Sequence, residues 1–274
     1  MPDADSEAAS GKFGYPSHMP APPTEIVHDA AQPVSLIRHD GHEVRYVTPN
    51  HHTRWRVDTM FTKEPDTLQW IAGFGAGETL FDIGANVGMY SIWAAKTRGV
   101  RVLSFEPESQ NYAALNLNID ANALGTLVSA YCVAVSDKTA FSTLYLSEFV
   151  MGGSCHNFGE PLDPHYQPMR PAFAQGCFAT TVDELVAAHG FPVPDHIKID
   201  VDGIEPKVIA GARTTIADTK VKSVLVEINT NLDDHWEIVD FMLDSGFKYS
   251  QEQVNAAART EGNFAGVGNY VFRR

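Results

Sequence analysis

The stretch TLFDIGANVGMYSIWAAKTRG, residues 79–99, decides the fold. A short apolar run, TLFDIG, stops at Gly84. A second glycine, Gly88, follows, and MYSIWAAKTR then reads as a helix that Gly99 closes in a left-handed cap. Strand, glycine turn and helix in immediate succession open a βαβ unit. The rhythm continues downstream. RVLSFEP (101–107) is a second strand. Ser109 is placed to cap a helix whose Tyr112, Leu115 and Ile119 share one face. LVSAYCVAV (127–135) is a third strand, and FSTLYLS (141–147) is a further, alternating one. TVDE at 181–184 has the form of a capping box. A strand over 196–200, a helix from near Pro206, the strand SVLVEI, a helix over 233–245 closed by Gly246, and terminal strands near Phe247 and at Tyr270-Val271-Phe272 complete the pattern. Alternating strands and helices predict a doubly wound, Rossmann-like α/β sheet.

The flanks differ from this core. Residues 1–24 are rich in Pro, Ala, Ser and acids without periodicity, which predicts a flexible tail. VSLIRHDGHEVRYV carries Asp40-Gly41 between two alternating runs, a β-hairpin signal. EPDTLQWIAGF reads as a helix with Pro65 in its first turn. Residues 25–78 therefore form an N-terminal extension to a main domain over 79–274. Residues 148–178 interrupt the rhythm with glycines, prolines and the aromatics Phe149, Phe158, Tyr166 and Phe173. A loop of that length predicts a lid.

The formal net charge of -14 opposes a phosphate backbone, so a nucleic-acid partner is not expected. No apolar run is long enough to span a bilayer, and the first residues lack the basic and apolar regions of a secretory signal. Cys132, Cys155 and Cys177 are odd in number, with no C-x-x-C pair. That pattern fits reduced thiols in the cytoplasm.

FDIGANVG can hold a ligand. Gly84 and Gly88 permit close backbone approach, the helix start offers free N–H groups, and Glu106 ends the next strand where such folds place an acid on a ribose diol. The spacing is neither the dinucleotide fingerprint nor a P-loop. No Tyr is followed four residues later by Lys, which weakens the rival reading as a Rossmann-fold NAD-dependent oxidoreductase. S-adenosylmethionine (SAM) has a ribose and a carboxylate but no phosphate, and fits better.

FDIGANVGMYS, FEPESQNYAALNLNI, CVAVSD, TTVDELV, IKIDVDGIEPKVIAGA and VLVEIN occur in that order. Together they resemble the FkbM family of SAM-dependent methyltransferases, over about residues 62–230. Asp202 is a departure, standing where the family usually has Glu. The resemblance implies a class I methyltransferase sheet and a SAM cofactor contacting Asp82, Gly84, Asn86, Gly88, Glu106, Pro107, Ser136 and Asp200. It also implies O-methylation of a small-molecule hydroxyl, on a sugar, glycolipid or secondary metabolite. A module that binds SAM without catalysis is the non-enzyme alternative, and self-association is left open.

The strand at 196–200 is unusual because it carries Lys198 and Asp200, with Asp202 and Glu205 close behind. A strand covered on both faces should be nearly all apolar. The expected resolution is that Lys198 pairs with Asp82 or Glu227, while Asp200 faces cofactor and acceptor. Asp200, Asp202 and His235 are the candidate catalytic groups, and His156 and His165 are further candidates for a base. Asp200, Glu227 and Asn229 offer hard oxygens suited to Mg²⁺, although a metal is not favoured.

Overall fold

The computed structural model describes residues 24–28 and 33–274. The tail expected over 1–24 lies, apart from Thr24, outside them. A six-stranded sheet forms the centre. Its order is Val267–Arg273, Ser223–Asn229, His196–Ile199, Thr79–Ile83, Arg101–Phe105, Val128–Tyr131. Only Val267–Arg273 runs antiparallel.

Strand alternation divides the core into two layers. Leu80, Val102, Leu225 and Val271 face the helices Pro65–Ala72, Met89–Arg98 and Ser109–Ala121. Phe81, Ile83, Leu103, Ile197, Ile199, Val224 and Val226 face the layer built from Val182–Ala187, Glu205–Ala210, Arg213–Ala217 and Asp233–Asp244. The chain leaves Thr79–Ile83 toward one edge and returns to His196–Ile199 for the other. The carboxyl ends of these two neighbours are thus the topological switch point, where ligands of open α/β sheets bind.

The Asp40-Gly41 hairpin forms. Val34–His39 pairs with His42–Val47, both turn residues have positive φ, and Glu25–His28 adds a third strand. Three local expectations are corrected. Glu108, not Ser109, caps the helix Ser109–Ala121, its carboxylate accepting from the amides of Gln110 and Asn111. LVSAYCVAV is two strands: Val128–Tyr131 ends the central sheet, and Ala134–Val135 joins a second one. The loop 148–178 is not structureless. It contains Asn157–Phe158 and ends in Phe173–Thr180, which pairs antiparallel with Ala140–Leu146.

Candidate active site

Gly84 ends the central Thr79–Ile83 strand with φ +78°. A Cβ there would sit 1.8 Å from the carbonyl oxygen of Asp200 on the next strand, so no other residue fits. Asn86 follows, also left-handed at φ +51°. Its amide donates to Glu106 Oε2 (2.7 Å), and the amide of Glu108 donates to Glu106 Oε1 (2.8 Å). The Glu106 carboxylate is thus fixed at the end of its strand, with lone pairs left for further donors. Burial pushes its pKa up to about 7, with the two amide bonds opposing the rise.

Two clefts meet over this turn. The larger, of ≈ 560 Å³, runs past Glu106, Pro107, Val133, Val135, His156 and Phe158. The smaller, of ≈ 490 Å³, lies under the N-terminal helices and is lined by Arg56, Lys63, Glu64, Tyr90 and Lys198. Gly84, Asn86 and Asp200 line both.

Lys198 answers for the charges of its strand. It faces the helix layer beside Asp82 in strict register and is buried. Its ammonium lies 3.1 Å from Asp200 Oδ2 and 3.7 Å from Asp82 Oδ1. Burial alone would lower its pKa, but the carboxylates of Asp200, Asp82 and Glu64 outweigh it and hold the pKa above the ordinary lysine value. Asp82 was one of its two expected partners. Glu227 was the other and is not one: it pairs with Arg259 at 2.9 Å. Asp200, reserved in the sequence reading for function, makes the shortest contact and so serves both purposes.

Asp200, Asp202 and Glu227 bring carboxylate oxygens within 4.8 Å of one another. Burial raises Asp200, but Lys198 and then Lys63 bring it below the usual carboxylate range. Burial followed by the Asp200 charge raises Asp202 and raises Glu227 well above that range. Crowded carboxylates behave this way: the charge of one opposes ionisation of its neighbours. Asp202 itself sits at φ +58°. Glu205 clamps its turn by accepting the amides of Val201 (2.9 Å) and Gly203 (3.0 Å), and Asp202 Oδ2 accepts the amide of Cys155 (2.7 Å).

Of the expected cofactor residues, Gly84, Asn86, Glu106, Pro107 and Asp200 line the larger cleft, as does Asp202. Asp82, Gly88 and Ser136 line neither cleft. Asp82 is buried below the turn, accepting from Ser91 and facing Lys198. Gly88 is required for packing, since a Cβ would lie 2.3 Å from Leu115 Cδ1. The hydroxyl of Ser136 donates to Asp137. The expectation for His235 is corrected. It is buried, its Nδ1 accepts the amide of Asn229, and its Nε2 lies 3.8 Å from Glu205 Oε2, behind the Asp202 turn rather than in either cleft. Of the expected oxygen set, Asp200 and Glu227 lie together and Asp202 joins them, while the Asn229 side chain hydrogen-bonds Asn231 and His165.

The loop 148–178, expected as a lid, is built into the wall of the larger cleft. The Gly153 carbonyl accepts from the side chains of Asn86 and Asn111, and Ser154, His156 and Phe158 wall the larger cleft. Farther along, Glu160, Leu162 and Tyr166 cover Gly203, Pro206 and Asp234. Arg56, Lys63, Glu64 and Asn111 were missed. Arg56, Lys63 and Glu64 lie in the extension with no local motif to mark them, and Asn111 stands inside FEPESQNYAALNLNI on the buried side of its helix.

The profile of the methyltransferase FkbM domain matches residues 82–249. The chain belongs to the FkbM methyltransferase family. It is a SAM-dependent methyltransferase, and nothing supports the oxidoreductase alternative. The chain is 26% identical over 209 residues to 31-O-demethyl-FK506 methyltransferase FkbM of Streptomyces tacrolimicus, covering 68% of this chain and 78% of that one. It is similar in fold to the FkbM methyltransferase structure from Methylobacillus flagellatus KT, at TM-score 0.48 and 14% identity. That match covers 73% of this chain but only 44% of the other. It is also similar to precorrin-6y C5,15-methyltransferase of Geobacter metallireducens GS-15, at TM-score 0.46 and 14% identity, covering 78% and 89%. No helix of the described residues is long and apolar enough to cross a membrane.

SAM fits the residues present. Gly84 lines both clefts without a side chain, and Glu106 is an acceptor held in place at the strand end. Ribose hydroxyls donate best to an ionised Glu106. SAM affinity is therefore expected to rise with pH through about 7, with uptake of the ligand releasing a proton. In Glu106→Gln that pH dependence disappears and affinity falls by roughly tenfold or more, the loss of a charge-assisted bond. Calorimetry at three pH values checks this. An unchanged pH profile in the variant removes Glu106 from the ribose site.

Proposed function

We propose that the protein is an O-methyltransferase acting on a hydroxyl of a small molecule such as a sugar, glycolipid or secondary metabolite. The observation that carries the reading is the junction of two clefts at Gly84, Asn86 and Asp200, beside a lip of carboxylates. The name of the Streptomyces tacrolimicus relative, which specifies methylation at an oxygen, supports it. So does the net charge of -14, which disfavours a nucleic-acid acceptor.

Bound SAM supplies an electrophilic methyl group on a sulfonium. In the larger cleft Glu106 would hold the ribose. In the smaller one, Arg56 and Lys63 offer cations for a carboxylate, and Glu64 and Asp200 offer anions for an ammonium. Much of the catalysis is then positioning. Asp200, kept ionised by Lys198, favours positive charge at the junction. Asp202, made more basic than Asp200 by burial and by the Asp200 charge, is the better proton acceptor for an incoming hydroxyl, a role that adds about 10² to 10⁴ in rate.

The test is transfer of a labelled methyl from SAM to a native extract, with mass spectrometry of the product. Asp200→Asn is expected to lower turnover on that product by roughly 10²-fold or more. Its melting temperature falls less than in Lys198→Met, because Lys198 keeps Asp82. A fully active Asp200→Asn enzyme overturns the assignment. SAM binding without any labelled product favours the inert module.

A further inference from the structure

His156 lines the larger cleft and has no role in the reading above. Its Nδ1 accepts the backbone amide of Ser147 at 3.3 Å. An amide N–H only donates, so the proton of the neutral ring is assigned to Nε2. The ring is neutral at working pH, since burial, reinforced by Arg56, lowers its pKa to about 4. The Ser147 hydroxyl donates to the Ser154 carbonyl at 2.6 Å and lies farther from Nδ1, at 3.5 Å, than the amide does. Nε2 is buried and has no hydrogen-bond partner within the protein. A buried donor left unpaired is costly, and such groups normally have a partner.

The surroundings narrow that partner's chemistry. Val133, Val135, Leu144, Phe158 and Ile204 line the same cleft. These walls suit a flat, weakly polar ring, and the Nε2–H of His156 beside them suits an acceptor on the ring's edge. We infer that His156 Nε2–H donates to a ring nitrogen of the adenine of bound SAM, so that His156 helps determine which nucleoside the cleft accepts. This rests on the cofactor assignment above and deepens it. It also gives the loop 148–178 a second purpose, because the loop delivers both His156 and Phe158 to the cofactor.

The test is calorimetry on the full chain with S-adenosylhomocysteine and its 1-deaza, 3-deaza and 7-deaza analogues. Each analogue replaces one ring nitrogen by C–H. Wild type is expected to bind one analogue about tenfold more weakly than the parent, the effect of one lost hydrogen bond. His156→Phe should bind the parent about tenfold more weakly and no longer distinguish that analogue. A variant that binds the analogue as wild type does is folded by that measurement. His156→Gln, whose amide can donate, should recover part of the preference. If wild type binds all four ligands equally, or the preference survives in His156→Phe, the inference is overturned. If wild type binds none of them, the cofactor assignment fails first and takes the inference with it.

Discussion

Lys198→Met is expected to destabilise the protein by about 3–5 kcal/mol, the cost of stranding one member of a buried ion pair. For a chain of this size that corresponds to a fall in melting temperature on the order of 10 °C. Asp82 is 1% exposed and would keep only the Ser91 hydroxyl. Its Oδ1 has no hydrogen bond, so the ammonium at 3.7 Å is what balances it. Asp200 would lose its nearest cation as well, and two carboxylates would face each other across the switch point.

The sign of the pH dependence follows. Burial already raises the pKa of Asp82 above its ordinary value, with Lys198 the largest opposing influence. Removing Lys198 raises it further. An acid whose folded pKa exceeds its unfolded one stabilises the fold progressively as pH falls. The deficit of Lys198→Met is therefore smaller near pH 5 than near pH 8. Adding Asp82→Asn removes the stranded charge and should recover a large part of the lost stability, a coupling read from a double-mutant cycle. If Lys198→Met melts like wild type at pH 8, the strand tolerates its charges by some route other than pairing.

Much of this was legible because polar residues stood where the period demanded apolar ones. Lys198 in a covered strand required a partner, and parallel register put Asp82 beside it. The glycine turn and Glu106 were legible because each ends an apolar strand. Other features needed contacts remote in sequence. Phe173–Thr180 is hidden by Gly176 and by exposed Phe173 and Phe178, and it becomes a strand by pairing with residues about thirty positions earlier. Gln251–Ala257 buries only Val254, so it has no apolar stripe to read. His235 was misread although the signal was present. With Ile238, Val239 and Met242 it forms the i, i+3, i+4, i+7 stripe that the helix Asp233–Asp244 buries. A histidine on that stripe faces the core, where it meets Glu205, whose carboxyl burial pushes up to about 8.

Gly84→Ala should abolish measurable SAM binding and lower stability by about 2–5 kcal/mol. Two costs combine. A left-handed backbone costs an L-residue roughly 1–2 kcal/mol, and Gly84 has φ +78°. The new Cβ would also stand 1.8 Å from the Asp200 carbonyl oxygen, which is backbone and cannot rotate away. Relief requires the two central strands to part at their carboxyl ends, and overpacking of that kind adds about 1–3 kcal/mol. Parting them moves Asp200 relative to Asn86, the two residues that with Gly84 join the clefts. Gly41 separates the two costs. Its φ of +76° is nearly the same, yet its Cβ would meet nothing within 4 Å. Gly41→Ala therefore carries the backbone term alone and should bind SAM normally. If Gly84→Ala melts with Gly41→Ala and still binds SAM, the approach of the two strands is looser than 1.8 Å implies, and the switch point does not depend on glycine for its shape.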